Sequence, residues 1–216
     1  CFKVGLIPSG SRDPFALRRA AQGVVKILVE GRLSLSLSKL SGDDAALREF
    51  LLDRVRYYFK DIRGFRYDEV NAVLAAGADD LTGVESRLAA IQAVRPTENF
   101  EPLAASFKRI QNILRQAEFE GGPEVNAALL EPGPEAELYA AFDKLRRRVN
   151  RFRKKKEYRP ALDAIASIRP RLDLFFDKVL VNAPDQVVRQ NRLALLYQLL
   201  SEFSAIADFS EIVTTQ

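Results

Sequence analysis

Apolar residues recur at every third or fourth position in one segment after another, and that spacing confines the chain to helices. Leu103, Phe107, Ile110, Leu114 and Ala117 step this way, as do Leu138, Phe142, Leu145, Val149 and Phe152. Residues three and four apart share a helix face, so each set marks one buried stripe. A third set, Leu162, Ile165, Ile168, Leu172, Phe175 and Val179, is interrupted by Pro170. That proline removes a backbone hydrogen bond and must kink or split the helix. A last helix is expected to start near Pro184-Asp185 and to run through Leu193, Leu196, Leu200, Phe203 and Ile206. Residues 96–216 therefore read as an antiparallel bundle of four or five helices.

The first part, residues 1–95, reads as a smaller helical linker region. Asp13-Pro14 pairs a capping side chain with a first-turn proline, and Phe15 to Val29 continues as helix until Gly31. Leu33, Leu35 and Leu37 alternate with serines, but no partner strand is evident, so a short extended connector is expected. Ser41-Gly42-Asp43-Asp44 opens a helix with Leu47, Leu51, Val55 and Tyr58 on one stripe, ending before Gly64. A short helix over Asp68–Ala76 closes at Gly77, and Thr82 with Glu85 reads as a capping box. Arg95-Pro96-Thr97 breaks the next helix and sets the expected domain boundary.

The chemistry available to the chain is narrow. Its 216 residues contain no histidine and a single cysteine, Cys1. Histidine is the commonest metal ligand and the usual general base near neutral pH. Without it, Ser-His-Asp, Cys-His and zinc-ligand chemistry are all removed. Asp43-Asp44 and Asp79-Asp80 each precede a helix, where carboxylates satisfy free backbone donors, so capping is their expected role. Gly121-Gly122 lacks the Lys-Ser/Thr and the preceding strand of a phosphate loop. No catalytic residue and no metal site are expected. No apolar run approaches the roughly 20 residues that cross a bilayer, and the lone cysteine fits a reducing, cytoplasmic compartment. The opening Cys1-Phe2-Lys3-Val4 carries no helix or strand start signal, so the chain is expected to be a piece of something longer.

Charge is the remaining signal. The net charge is only +4, yet nine of the thirteen residues from Lys144 to Lys156 are Lys or Arg. With Leu145, Val149 and Phe152 turned inward, the bland reading is a solvated face. Against it, like charges in a block repel, and a polyanion relieves that repulsion while releasing counterions. Arg147, Arg151 and Lys154 are the candidates here. A second group, Lys178, Asn182, Arg189, Asn191 and Arg192, surrounds the Val181–Asp185 turn; Arg and Asn suit single-stranded base edges. Lys108, Asn112 and Arg115 share a third face, and Tyr158 and Tyr197 are candidate stacking surfaces, with core or rim packing the expected role of Tyr197. An all-helical RNA-binding module follows, with a protein-interaction bundle that docks an acidic partner through its basic helix as the alternative.

Ile7-Pro8-Ser9-Gly10-Ser11-Arg12-Asp13-Pro14-Phe15-Ala16-Leu17-Arg18-Arg19-Ala20-Ala21 resembles the stretch that closes the main body of the β subunit of bacterial glycyl-tRNA synthetase. Ala105-Ser106-Phe107-Lys108-Arg109-Ile110-Gln111-Asn112-Ile113-Leu114 and Tyr158-Arg159-Pro160-Ala161-Leu162 resemble that subunit's anticodon-binding domain. Asp173 to Val181 and Arg189 to Leu196 continue the likeness, in order along nearly the whole chain. The last two also resemble the DALR-type domains of the arginyl, valyl and cysteinyl enzymes. The resemblance implies an α₂β₂ ligase whose α subunit activates glycine with ATP and Mg²⁺ while the β subunit binds tRNA-Gly through its carboxy-terminal domain. Residues 96–216 would be that domain and residues 1–95 the tail of an HD-like body. The implied partners are tRNA-Gly and the α subunit, with neither membrane nor DNA, and no cofactor bound by this piece.

Overall fold

A computed structural model describes residues 1–8, 13 and 15–214. Helices are the regular secondary structure of the described residues, with no strand among them. Chain contacts group them into two units, Cys1–Ala89 and Ala90–Gln216.

In the first unit, α1 (Leu17–Glu30) begins two residues later than Phe15. Asp13 is nevertheless its cap: its carboxylate accepts from the N–H groups of Leu17 at 2.7 Å and Arg18 at 3.1 Å. Pro14, the other half of that start signal, lies outside the described residues. The extended connector ends at Ser36, because Leu37 is fully buried and opens α2 (Leu37–Ser41). Asp44 caps α3 (Ala45–Tyr57), accepting from Leu47 N–H at 2.9 Å. The chain then widens into a π turn over Tyr58–Ile62 before Gly64. Leu51, Val55 and Tyr58 are buried as their spacing requires, and Phe59 joins them against Phe65.

The next helix, α4 (Tyr67–Ala75), is followed by Gly77 at a φ of 119°, a left-handed value suited to glycine. Its carbonyl end is satisfied by the buried Arg87, which donates to Val73 O at 3.1 Å and to Gly77 O. The Thr82–Glu85 capping box does not form. Asp80 caps α5 (Leu81–Val94) by accepting from Gly83 N–H at 3.2 Å, while Glu85 turns to Arg63. Asp79 serves a different helix, accepting from Ser38 N–H at 2.7 Å at the start of α2.

The second unit takes the end of α5, α6 (Phe100–Gln116), α7 (Pro134–Lys154), α8 (Tyr158–Ala166), α9 (Arg169–Lys178) and α10 (Gln186–Ser204). Leu103, Phe107, Ile110 and Leu114 are buried, but Ala117 lies past the helix end and is exposed. Pro170 splits rather than kinks its segment, standing in the first turn of α9, where a missing N–H costs nothing. Ile165, Ile168, Leu172 and Phe175 stay on the buried side of both pieces. The stripe expected on α10 understates it: every residue from Asn191 to Leu196 is buried, so this helix is enclosed on several sides. Phe203 meets Phe107 at 6.2 Å and Phe142 at 5.8 Å, and Phe209 reaches Phe107 at 5.2 Å. That aromatic cluster joins α6, α7, α10 and the chain end into one core.

Candidate nucleic-acid interface

The basic helix divides cleanly by face. Leu145 and Val149 are buried, while Lys144, Arg147, Arg148, Arg151, Lys154 and Lys155 are exposed. Cations in the last turn of α7 complement the helix dipole, and that accounts for Arg151, Arg153 and Lys154 without any ligand. It does not account for Lys144, Arg147 and Arg148, which lie beyond the reach of a terminal effect. Asp143 is shared by Arg146 at 2.8 Å and by Arg147. Of the exposed cations just named, Arg147 alone has a carboxylate partner among the described residues. Arg148 and Arg151 stand 5.6 Å and 5.7 Å from the centre of the Phe152 ring.

Beside this face runs a groove of about 450 Å³, lined by Lys144, Arg148, Arg171 and Ser167 with Leu145 and Ile168. Glu137 is the one carboxylate in its lining. Three cations against one acid give the groove a positive balance of charge. Arg171 was invisible as a candidate in the sequence, because only the packing of α9 on α7 brings it to Lys144.

The group around the Val181–Asp185 turn separates into two kinds. Lys178 and Asn182 are exposed, and Arg189 is half-buried with its Nη1 donating to Ala183 O at 3.0 Å. Asn191 and Arg192 are different. Asn191 clips the backbone of Asn126, accepting its N–H at 2.8 Å and donating to its carbonyl at 3.1 Å. Arg192 is 4 % exposed and donates to Glu135 Oε2 at 2.9 Å and 3.1 Å and to Leu180 O at 2.9 Å. Glu131 stands 2.9 Å from the same guanidinium. Burial alone would lower the Arg192 pKa, but the hydrogen bonds and charge of Glu135, then Glu131, outweigh it and hold the guanidinium above its ordinary value. Neither side chain can meet a base edge. Both are withdrawn as RNA-contact candidates, since they are buried and brace the 117–135 segment against α10.

On α6, Lys108 and Arg115 are exposed and Asn112 half-buried, with Arg115 Nη2 donating to Asn112 Oδ1 at 3.0 Å. Tyr158 is half-buried at the first residue of α8. Among the described residues no cluster of His, Cys, Asp and Glu could hold a metal ion, and no helix is long and apolar enough to cross a membrane.

This helical bundle with a basic groove belongs to the class of anticodon-binding domains: residues 103–209 match the family model of the DALR anticodon binding domain. Residues 1–75 match the model described as glycyl-tRNA synthetase beta subunit. A glycine–tRNA ligase beta subunit from Acidobacterium capsulatum is 48% identical over 99% of this chain and 33% of its own length. Those from Desulfatibacillum aliphaticivorans and Moorella thermoacetica are 40% and 39% identical over 98% and 99% of this chain, each matched over 33% of its length. The chain belongs to the glycyl-tRNA synthetase beta-subunit family. It spans about a third of the length of these relatives.

Proposed function

We propose that the second unit captures the anticodon arm of glycine tRNA, as the RNA-gripping part of a glycine–tRNA ligase. The observation that carries the reading is the groove of Lys144, Arg148 and Arg171 beside the exposed face of α7, on the unit that matches an anticodon-binding domain. Phosphates of the stem displace counterions along that face, which supplies affinity without sequence choice. Lys178, Asn182 and Arg189, and on α6 Lys108, Asn112 and Arg115, are the groups left to meet the loop. The chain itself carries out no chemical step. Glycine activation with ATP and Mg²⁺ falls to the α subunit of a cytoplasmic α₂β₂ ligase, reached through the remainder of the β subunit.

A salt titration tests this. Affinity for glycine tRNA should fall steeply and linearly on a log–log plot, and a tRNA with another anticodon should compete less well. Binding that ignores salt, or an acidic protein that competes as well as tRNA, would replace RNA capture by the docking of a protein partner.

A further inference from the structure

A second pocket lies away from the basic helix, where the end of α6 meets α10. Its volume is about 650 Å³, and its walls include Phe119 and Tyr197 with Gln111, Arg115, Glu118 and Glu120. The two rings meet edge to face, 5.9 Å between centroids. Local backbone holds them there. Glu118 takes a left-handed φ of 49°, and Phe119 N–H returns to Leu114 O at 2.9 Å, which ends α6 and directs the Phe119 ring toward α10. Gly121 has a φ of 127°, and a methyl group on it would sit 3.2 Å from Tyr197 Cζ and Oη. A side chain there would be strained by the backbone angle and would crowd the tyrosine, so glycine suits the position.

The charge of this pocket is the reverse of the groove's. It has two carboxylates against one guanidinium, and that guanidinium already serves Asn112. Glu118, Glu120, the Gln111 amide and the Tyr197 hydroxyl have no side-chain hydrogen bond or ion pair among the described residues. Phosphate would be repelled here. A neutral, flat ligand is not: aromatic rings offer it a stacking surface, and the free polar groups offer it an edge.

Resting on the RNA-binding reading above, we infer that the Phe119–Tyr197 pocket takes one unstacked nucleobase of the bound RNA and prefers a base with an exocyclic amino group over uracil. The preference follows from the donors and acceptors. The Glu118 and Glu120 carboxylates accept hydrogen bonds, so an amino group at the end of a base edge suits them better than uracil's single N3–H, which lies between two carbonyl oxygens. Gln111 and Arg115 donate to the ring nitrogen or carbonyl beside it. Uracil has no amino group and would set a carbonyl oxygen against a carboxylate.

The test uses the chain with anticodon stem-loops of glycine tRNA, including versions with single loop positions made abasic or changed to uracil. Tyr197→Leu should weaken binding roughly 5- to 150-fold, the worth of one stacked base, with the salt slope unchanged. An abasic substitution at the read position should make that variant indistinguishable from the parent. Glu118→Gln with Glu120→Gln, both exposed and free of fold contacts, should erase the penalty for uracil at that position. Unchanged binding by Tyr197→Leu, or a reduced salt slope, overturns the proposal. If Tyr197→Leu fails to fold, the double Gln variant decides, and an undiminished uracil penalty overturns it. These failures leave RNA capture standing as long as Arg147→Gln with Lys154→Gln still flattens the salt dependence; if that variant is also silent, the broader reading fails.

Discussion

Arg192 on α10 and Arg147 on α7 carry the same guanidinium, and in the sequence each sits beside other polar residues on a helix. The side chain of one is 5 % exposed and held by two carboxylates and a carbonyl; that of the other is 75 % exposed and shares one aspartate with Arg146. A buried charge pair contributes mostly by what its loss would leave behind, whereas an exposed pair contributes little to stability and remains available to a ligand. Arg192 is therefore part of the fold, whereas Arg147 stays exposed and open to a ligand, although composition cannot tell them apart.

The comparison breaks first at Arg192. Arg192→Ala strands Glu135, itself 1 % exposed, as an uncompensated buried charge. Unfolding in denaturant should show a loss of about 3–5 kcal/mol. Replacing both Arg192 and Glu135 with apolar residues of similar volume should recover most of it. A loss under about 1 kcal/mol would mean that Arg192 is free to swing outward, returning it to the list of RNA contacts.

Asn191→Ala comes next. It leaves the Asn126 N–H and carbonyl without their partner, at a cost of about 1–3 kcal/mol for groups that cannot all reach water. Discrimination among tRNAs should not change in the molecules that remain folded. A shifted preference for anticodon bases with unaltered melting would reverse the assignment.

Why these two residues misled is physical. Their partners, Asn126 and Glu135, lie 65 and 57 residues away along the chain, one ahead of α7 and one in its first turn, and nothing local to α10 announces either. Stripes such as Leu103–Leu114 were legible because a helix buried on one face shows its period. Enclosed on several sides, α10 keeps no such contrast, and its buried polar residues look like surface. The capping aspartates were legible as a class, but Asp79 caps a helix 41 residues upstream rather than the one it precedes. For the candidate site, the run of cations on α7 was legible as a block of charge, while Arg171, Gln111 and Phe119 gain meaning only from the elements packed beside them.

Asp79 lies between the two extremes, with its side chain 49 % exposed. The Ser38 N–H, then the Ser38 hydroxyl and the charge of Arg48, hold its carboxyl below the usual aspartate value against a smaller opposing effect of burial. A folded pKa below the unfolded one stabilises the protein above the ordinary aspartate range, and that contribution is lost as pH falls through the range toward the depressed value. Screening by solvent keeps it under about 1 kcal/mol. Asp79→Asn should flatten the acid limb of a stability-versus-pH curve by that amount. An unchanged limb would assign the acid sensitivity to other carboxylates.

The smallest effect on stability is expected where the effect on binding is clearest. Arg147→Gln with Lys154→Gln removes two exposed cations from α7. Asp143 keeps Arg146 at 2.8 Å, so the first change leaves no carboxylate stranded. Lys154 has no ion pair to lose among the described residues, and what it gives the helix dipole is shared with Arg151 and Arg153. Melting should therefore move by no more than about 0.5 kcal/mol. Affinity for every tRNA should drop together, and the salt slope should fall by about one for each phosphate contact removed. A loss confined to one anticodon would make α7 a reader of bases. A loss of stability comparable to that of Arg192→Ala would erase the distinction between the two helices, since the α7 charges would then be holding the bundle together rather than waiting on its surface.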